Sequence, residues 1–301
     1  VGELYGGIET GGTWCVCAVG SGPDEIVSEE QFATTEPDET LDRIVEFFRG
    51  TPPLQAIGVG SFGPVDLDRS SPTWGYVTTT PKPGWQQTAV APVIADRLGV
   101  PVAFENDVTA AAVGEHRWGA GQGVSALCYL TIGTGIGAGL LIDGRPWHGL
   151  VQPEVGHLRI PYDSGPERFA GICPVHGDCW EGLASGPAIA ARWDVAPADL
   201  PDDHSAWEIE ADHLAMGILS IVMVASPERV IVGGGVMDRS PLLGMVRQRL
   251  RELVGGYLQT PMLGEAIDSY LVRPELGDRA GVLGAIALAE KTVQEAGTAP
   301  R

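Results

Sequence analysis

The sequence predicts an α/β protein built of layered strands and helices with mostly parallel connections. Three observations carry that expectation. Strand patterns and helix patterns alternate along most of the chain. Two stretches, 8–20 and 130–144, share a strand, Gly-Thr turn, strand pattern, as two similar α/β halves would. With 301 residues and 44% hydrophobic content, the chain can bury a sizeable core in about two domains.

The elements follow in order. IETGGTWCVCAVG (8–20) runs a glycine-rich turn into alternating β-prone residues and reads as a hairpin. AIGVGSFGPVD (56–66) reads as a buried strand ending in a Gly-Pro loop, and PTWGYVTTTPKPGW (72–85) is turn-rich and irregular. PVAFENDVTAAAVGEHRWGAG (101–121) reads as a short strand, then Asn106 and Asp107, then an Ala-rich helix. LTIGTGIGAGLLIDG (130–144) repeats the hairpin pattern. A helical pattern resumes around Ile189, and the Asp/Pro-rich stretch 194–203 reads as a loop. Residues 207–225 form a long, largely buried helix candidate, followed by the strand RVIVGGGV (229–236) and a helix from about Pro241. The stretch 278–297 is a helix with small residues along one face.

Charge and composition exclude several partners. The formal charge is -20 and lysine occurs only at Lys82 and Lys291, so no basic stripe is available to neutralise a nucleic-acid backbone. The longest apolar run, 216–225, is about half of the roughly 20 residues that a membrane helix needs. The first residues lack the basic start and apolar core of a signal peptide. Five cysteines, an odd number, are not arranged as a secreted disulfide framework, which fits a reduced, cytoplasmic protein.

The segment CPVHGDC (173–179) is the most informative. Two thiols and an imidazole three residues apart, with His157 upstream as a second imidazole, are a donor set for tetrahedral zinc. Spacing alone leaves zinc evenly balanced against buried thiols and a satisfied histidine, with a Cys173–Cys179 disulfide a third option. Glu154 and Glu181 flank the segment as carboxylates suited to gripping hydroxyls. Three glycine turns, at Gly11, Gly12 and Thr13, at Gly133, Thr134 and Gly135, and at Gly233, Gly234 and Gly235, allow backbone N–H groups to approach an anion. Any one of them also reads as a turn that uses glycine for conformation alone, because none matches the P-loop or dinucleotide fingerprint. Three together favour a nucleotide. Asp107 begins a helix, where it reads either as an N-cap, with Asn106 and Thr109 as rivals, or as a carboxylate accepting the proton of an attacking hydroxyl.

Taken together these motifs resemble the ROK family of bacterial sugar kinases and sugar-responsive repressors. The resemblance runs essentially end to end, through ETGGT (9–13), GPVD (63–66), FEND (104–107), IGTGIG (132–137), EVGH (154–157), the cysteine segment with WEGLASGPA (180–188), VGGGV (232–236) and GVLGAIALA (281–289). The CPxHxxCxE pattern and TPKPGW (80–85) are most similar to the fructokinase branch.

The resemblance implies a two-domain actin- and hexokinase-like (ribonuclease H-like) ATPase fold with a zinc lobe at about 154–182. The small domain would comprise 1–116 and 280–301, and the large domain 117–279. It implies sugar in a cleft with ATP across it and Mg²⁺ bridging phosphate oxygens. Asp107 would be the general base, and Asn106, Glu154, His157 and Glu181 would hold the other hydroxyls. Gly11, Gly12 and Thr13 would cradle phosphates with Gly133, Thr134 and Gly135, while Gly233, Gly234 and Gly235 would meet the adenosine. Zn²⁺ would be held by His157, Cys173, His176 and Cys179, with the other nitrogen of His157 on the sugar. The expected reaction is ATP-dependent phosphorylation of fructose by a homodimer. Another hexose, glucose or mannose, is the first alternative and a sugar-responsive regulator the second. The chain departs from the family at one position: Trp14 stands where Lys usually follows the Gly-Gly-Thr turn. Glu9 stands where many relatives have Asp, with a water-mediated role at Mg²⁺ open to it.

Overall fold

A computed structural model of the chain describes residues 2–161, 169–239 and 241–298. Two compact units form. The first contains residues up to Gly123, the excursion Leu141–Gln152, and the chain from Glu275 onward. The second contains Val124–Leu140 and Pro153–Pro274.

In the first unit, β1 (Tyr5–Thr10), β2 (Trp14–Gly20) and β3 (Ile26–Ala33) form an antiparallel meander. Helix α1 (Pro37–Arg49) then leads to β4 (Ile57–Ser61). The short strands β5 (Tyr76–Val77) and β6 (Thr88–Ala89) pair with each other within the stretch that reads as irregular from sequence. Helix α2 (Ala91–Leu98), β7 (Val102–Asn106) and α3 (Asp107–Trp118) follow. The main sheet has the order β3-β2-β1-β4-β7, with β1, β4 and β7 parallel.

The second sheet repeats that order. It is built from β8 (Leu127–Ile132), β9 (Ile136–Ile142) and β10 (Arg145–Pro146), with β11 (Arg229–Gly233) and β12 (Leu271–Val272), in the order β10-β9-β8-β11-β12. Its helices are α4 (Trp180–Ala184), α5 (Gly186–Trp193), α6 (Ala206–Ala225), α7 (Leu242–Val254) and α8 (Ile267–Tyr270). The last helix, α9 (Ala280–Thr298), belongs to the first unit. The same five-strand order in both sheets is the duplicated architecture of the actin- and hexokinase-like fold. The expectation of mostly parallel connections holds for only one side of each sheet, because each starting hairpin turns back antiparallel.

Packing explains why α9 carries small residues. A Cβ on Gly284 would collide with the carbonyl of Ala110 in α3, so only glycine permits that approach of two helix backbones. Gly60 of β4 likewise leaves room for the start of α3, since a Cβ there would lie 2.7 Å from the Ala110 methyl and 3.4 Å from Cα of Asp107. In the second unit, Trp180 and Trp207 are fully buried in the core around α6, and the Trp180 ring lies flat against Gly217. At about 25 cal/mol per Å² of apolar surface, such large rings dominate core energetics.

Candidate active site and metal centre

The turn between β1 and β2 is organised from behind. Three successive carbonyl oxygens are taken: Gly11 accepts from Thr34 Oγ1 at 2.8 Å, Gly12 from Lys82 Nζ at 2.7 Å, and Thr13 from the Thr34 N–H at 2.9 Å. Lys82 Nζ also donates to the Thr34 carbonyl at 3.1 Å. On the turn itself, a Cβ on Gly12 would meet no protein atom within 4 Å, and its φ is not in the left-handed region. Neither conformation nor packing therefore calls for glycine at 12; open space against the backbone does. Trp14, with 54% of its surface exposed, brings no charge to this turn.

The end of β7 resolves the rivalry between caps. Asn106 is the N-cap of α3: its Oδ1 accepts the Thr109 N–H at 2.8 Å. Asp107 is therefore the first residue of α3, where the helix dipole favours an ionised carboxylate. Its Oδ1 accepts the Val108 N–H at 2.8 Å. Across from it, Glu9 places a buried Oε2 with no hydrogen-bond partner over the start of α9. Burial, then the neighbouring charge of Asp107, push the Glu9 carboxyl up to about 7, while the Val282 N–H pulls the other way. The like charges of Glu9 and Asp107 thus oppose each other. Beside them, the buried Glu105 bonds His148 Nε2 at 3.0 Å, and that bond raises the His148 pKa against the effect of burial.

In the second unit, the turn between β8 and β9 closes through Gly133 N–H to the Gly135 carbonyl at 2.9 Å, and Gly186 N–H caps the Gly133 carbonyl at 2.8 Å. Glu181, in the first turn of α4, accepts the Ile136 N–H at 3.0 Å. At the end of β11, Gly234 is left-handed and packed against the Ile132 backbone, so conformation and packing both require that glycine. Its neighbour Gly235 is open on the Cβ side, as are Gly12 and Gly133. Glu154 precedes a short turn over Val155–His157 and is exposed; the His157 N–H returns to its carbonyl at 3.1 Å.

His157, Cys173, His176 and Cys179 come together with all four donor atoms within 4.8 Å of one another. His157 Nδ1 lies 3.3 Å from His176 Nδ1, 3.8 Å from Cys173 Sγ and 3.6 Å from Cys179 Sγ. Tetrahedral zinc, with bonds of about 2.0–2.1 Å to nitrogen and about 2.3 Å to sulfur, requires edges of about 3.3 Å between nitrogens and about 3.6 Å between nitrogen and sulfur. The donors fit. Cys173 also exchanges two backbone hydrogen bonds with Gly177, and its sulfur accepts the His176 N–H at 3.4 Å, which folds the intervening residues into a knuckle. All five cysteines are free thiols, so the disulfide option is not adopted.

Sequence reasoning named the glycine turns, Asn106, Asp107 and the four metal donors, but neither the contact of Lys82 with the 11–13 turn nor the Glu105–His148 pair. Lys82 is 70 residues from Gly12, and no local signal joins them.

Comparison with known proteins follows the same line. The ROK family profile matches residues 5–292, and the chain belongs to that family. It is 43% identical over 300 residues to the fructokinase of Zymomonas mobilis, covering 95% of this chain and 96% of that one. A fructokinase of Pediococcus pentosaceus is 36% identical over 293 residues, covering 97% and 100%. Among solved structures, a ROK family glucokinase from Streptomyces griseus in complex with glucose and AMPPNP superposes with a TM-score of 0.74 at 28% identity, covering 96% of this chain and 100% of that one.

Proposed function

We propose that the chain is an ATP-dependent fructokinase that converts D-fructose to fructose 6-phosphate. The observation that carries this reading is near full-length similarity to two fructokinases, at 43% and 36% identity, against 28% for the glucokinase of known structure. Asp107 is the general base. As the sugar oxygen forms its bond to the γ-phosphorus, the bond from that phosphorus to the bridging oxygen of ADP breaks, and the hydroxyl proton passes to the Asp107 carboxylate. Its place at the first position of α3, directly after the Asn106 cap, supports a carboxylate carried on a fixed backbone.

Asn106, Glu154, His157 and Glu181 hold the remaining hydroxyls in this reading. Backbone N–H groups of the 11–13 and 133–135 turns receive the phosphates, and the 233–235 turn meets the adenosine. These donors carry most of the anion binding in this reading, because lysine occurs only twice in the chain. Mg²⁺ bound with the nucleotide would offset phosphate charge, and Glu9 and Asp107 are the carboxylates that would hold it, Glu9 through water. Zinc would be held by His157, Cys173, His176 and Cys179 and would supply a fixed structural scaffold there. Because His157 turns Nδ1 into the donor cluster, its Nε2 is the nitrogen left for a sugar hydroxyl. Free thiols and the need for ATP support a cytoplasmic location, and family likeness supports a homodimer, which light scattering tests.

A coupled ADP-release assay across fructose, mannose and glucose tests the assignment. Fructose is expected to give the highest kcat/KM; a higher value for glucose or mannose overturns fructose as the substrate.

A further inference from the structure

In a trans peptide the C=O and N–H point in opposite directions. The carbonyls of Gly11, Gly12 and Thr13 all converge on Thr34 and the Lys82 ammonium, through contacts of 2.8, 2.7 and 2.9 Å. The N–H groups of Gly12 and Thr13, which share peptides with the first two of these carbonyls, must therefore face the opposite, open side. A Cβ at Gly12 would find no protein atom within 4 Å, so the turn is open at that residue. An anion-binding turn with outward N–H groups is thus held in place by donors behind it.

Lys82 is built for this task. Prolines on both sides, Pro81 and Pro83, restrict its backbone before the side chain reaches out. The loop is already anchored without it: the buried Trp85 donates Nε1 to the Thr35 carbonyl at 2.8 Å, and Gln86 Nε2 donates to the Thr80 carbonyl at 2.8 Å. The ammonium is not needed to fasten the loop. Among the described residues Lys82 forms no ion pair, in a chain of net charge -20. A cation on the Gly12 carbonyl polarises that peptide and strengthens the Thr13 N–H as a donor.

We infer that Lys82 is a positioning residue for phosphate binding. Together with Thr34 it turns the carbonyls of the 11–13 turn away from the nucleotide, presents the N–H groups to it, and supplies from behind the positive charge that Trp14 does not supply in front. The inference rests on the reading of this turn as a phosphate cradle.

The test measures AMPPNP affinity with Mg²⁺ by calorimetry, and ATP and sugar kinetics with whichever hexose the parent protein prefers. Lys82→Met is expected to weaken AMPPNP binding and lower kcat/KM for ATP by about tenfold to hundredfold, with the sugar KM within about threefold of the parent. Lys82→Arg, which still donates to carbonyls and keeps the charge, recovers most of the loss. Thr34→Val removes the bond to the Gly11 carbonyl and shifts the same parameters by a smaller factor. In the double variant the two losses are not additive. Unchanged nucleotide parameters in Lys82→Met, or equal losses for sugar and nucleotide, overturn the inference. Should Lys82→Met fail to fold, Thr34→Val and Lys82→Arg carry the test, and nucleotide affinity unmoved in Thr34→Val overturns it. A parent that prefers another hexose rejects fructose as the substrate and leaves these nucleotide measurements to decide on Lys82.

Discussion

Glu181 accepts the backbone N–H of Ile136 at 3.0 Å, and that bond fastens the first turn of α4 to the turn between β8 and β9. A carboxylate assigned to the sugar and a backbone turn assigned to phosphate thus share one hydrogen bond. Trp180, buried beside it against Gly217, fixes the same turn of α4 from the core side.

Gly135→Ala tests that link. A Cβ at 135 would lie 2.6 Å from Glu181 Oε2, so the carboxylate must shift. The expected result is a rise in fructose KM of about tenfold with a stability loss of about 1 kcal/mol, read from steady-state kinetics and urea unfolding. A fructose KM equal to that of the parent contradicts the role of Glu181.

Asp107→Asn keeps the size of the side chain and removes its capacity to accept a proton. Turnover is expected to fall about 10²- to 10⁴-fold while fructose affinity by calorimetry stays within about threefold, because base catalysis acts in the transition state. Near-parent turnover would falsify the assignment of the base.

The metal cluster predicts about one zinc per chain by elemental analysis. Cys179→Ser is expected to lose the zinc and lower the melting temperature. Chelation weakens fructose binding before nucleotide binding, because His157 loses its fixed ring orientation. An active, purified enzyme without zinc removes the site.

Glu9 predicts a pH dependence of known sign. Its carboxyl titrates at about 7 in the folded protein against an ordinary 4.5, first because of burial and then because of Asp107. Between these values the folded state binds more protons than the unfolded one, so the contribution of Glu9 is most favourable below about pH 4.5 and is lost as pH rises to about 7. The loss is at most about 3 to 4 kcal/mol. Glu9→Gln should therefore flatten the slope of stability between pH 5 and 7 relative to the parent, as read by urea midpoints across that range. An identical slope in both proteins rejects the raised carboxyl.

Much of the fold was legible because its signals are local. The starting hairpin of each half announces itself by a glycine turn between alternating residues, and both form. The shared strand order was much less visible, since the two halves keep similar topology with little similarity of sequence. At the start of α3, two adjacent residues with equal capping chemistry left the cap undecided. The end of β7 decided it by directing Asn106 Oδ1 to the Thr109 N–H. The excursion Leu141–Gln152 joins the first unit and brings His148 to Glu105; no local pattern marks that return.

Residue order alone specified what lies within one turn or one loop: the glycine turns, the Asn106-Asp107 start of a helix, and the Cys173, His176 and Cys179 donors. Nearest-neighbour geometry sets those, and it is written in spacing. Relations across sheet order and helix packing were a matter for the folded chain: Lys82 reaching the Gly12 carbonyl, Glu9 feeling the charge of Asp107, and His157 meeting Cys173 from 16 residues away. Their chemistry depends on distances of a few ångströms between segments that no sequence period connects. The same residues placed elsewhere would neither raise a carboxyl nor aim an N–H.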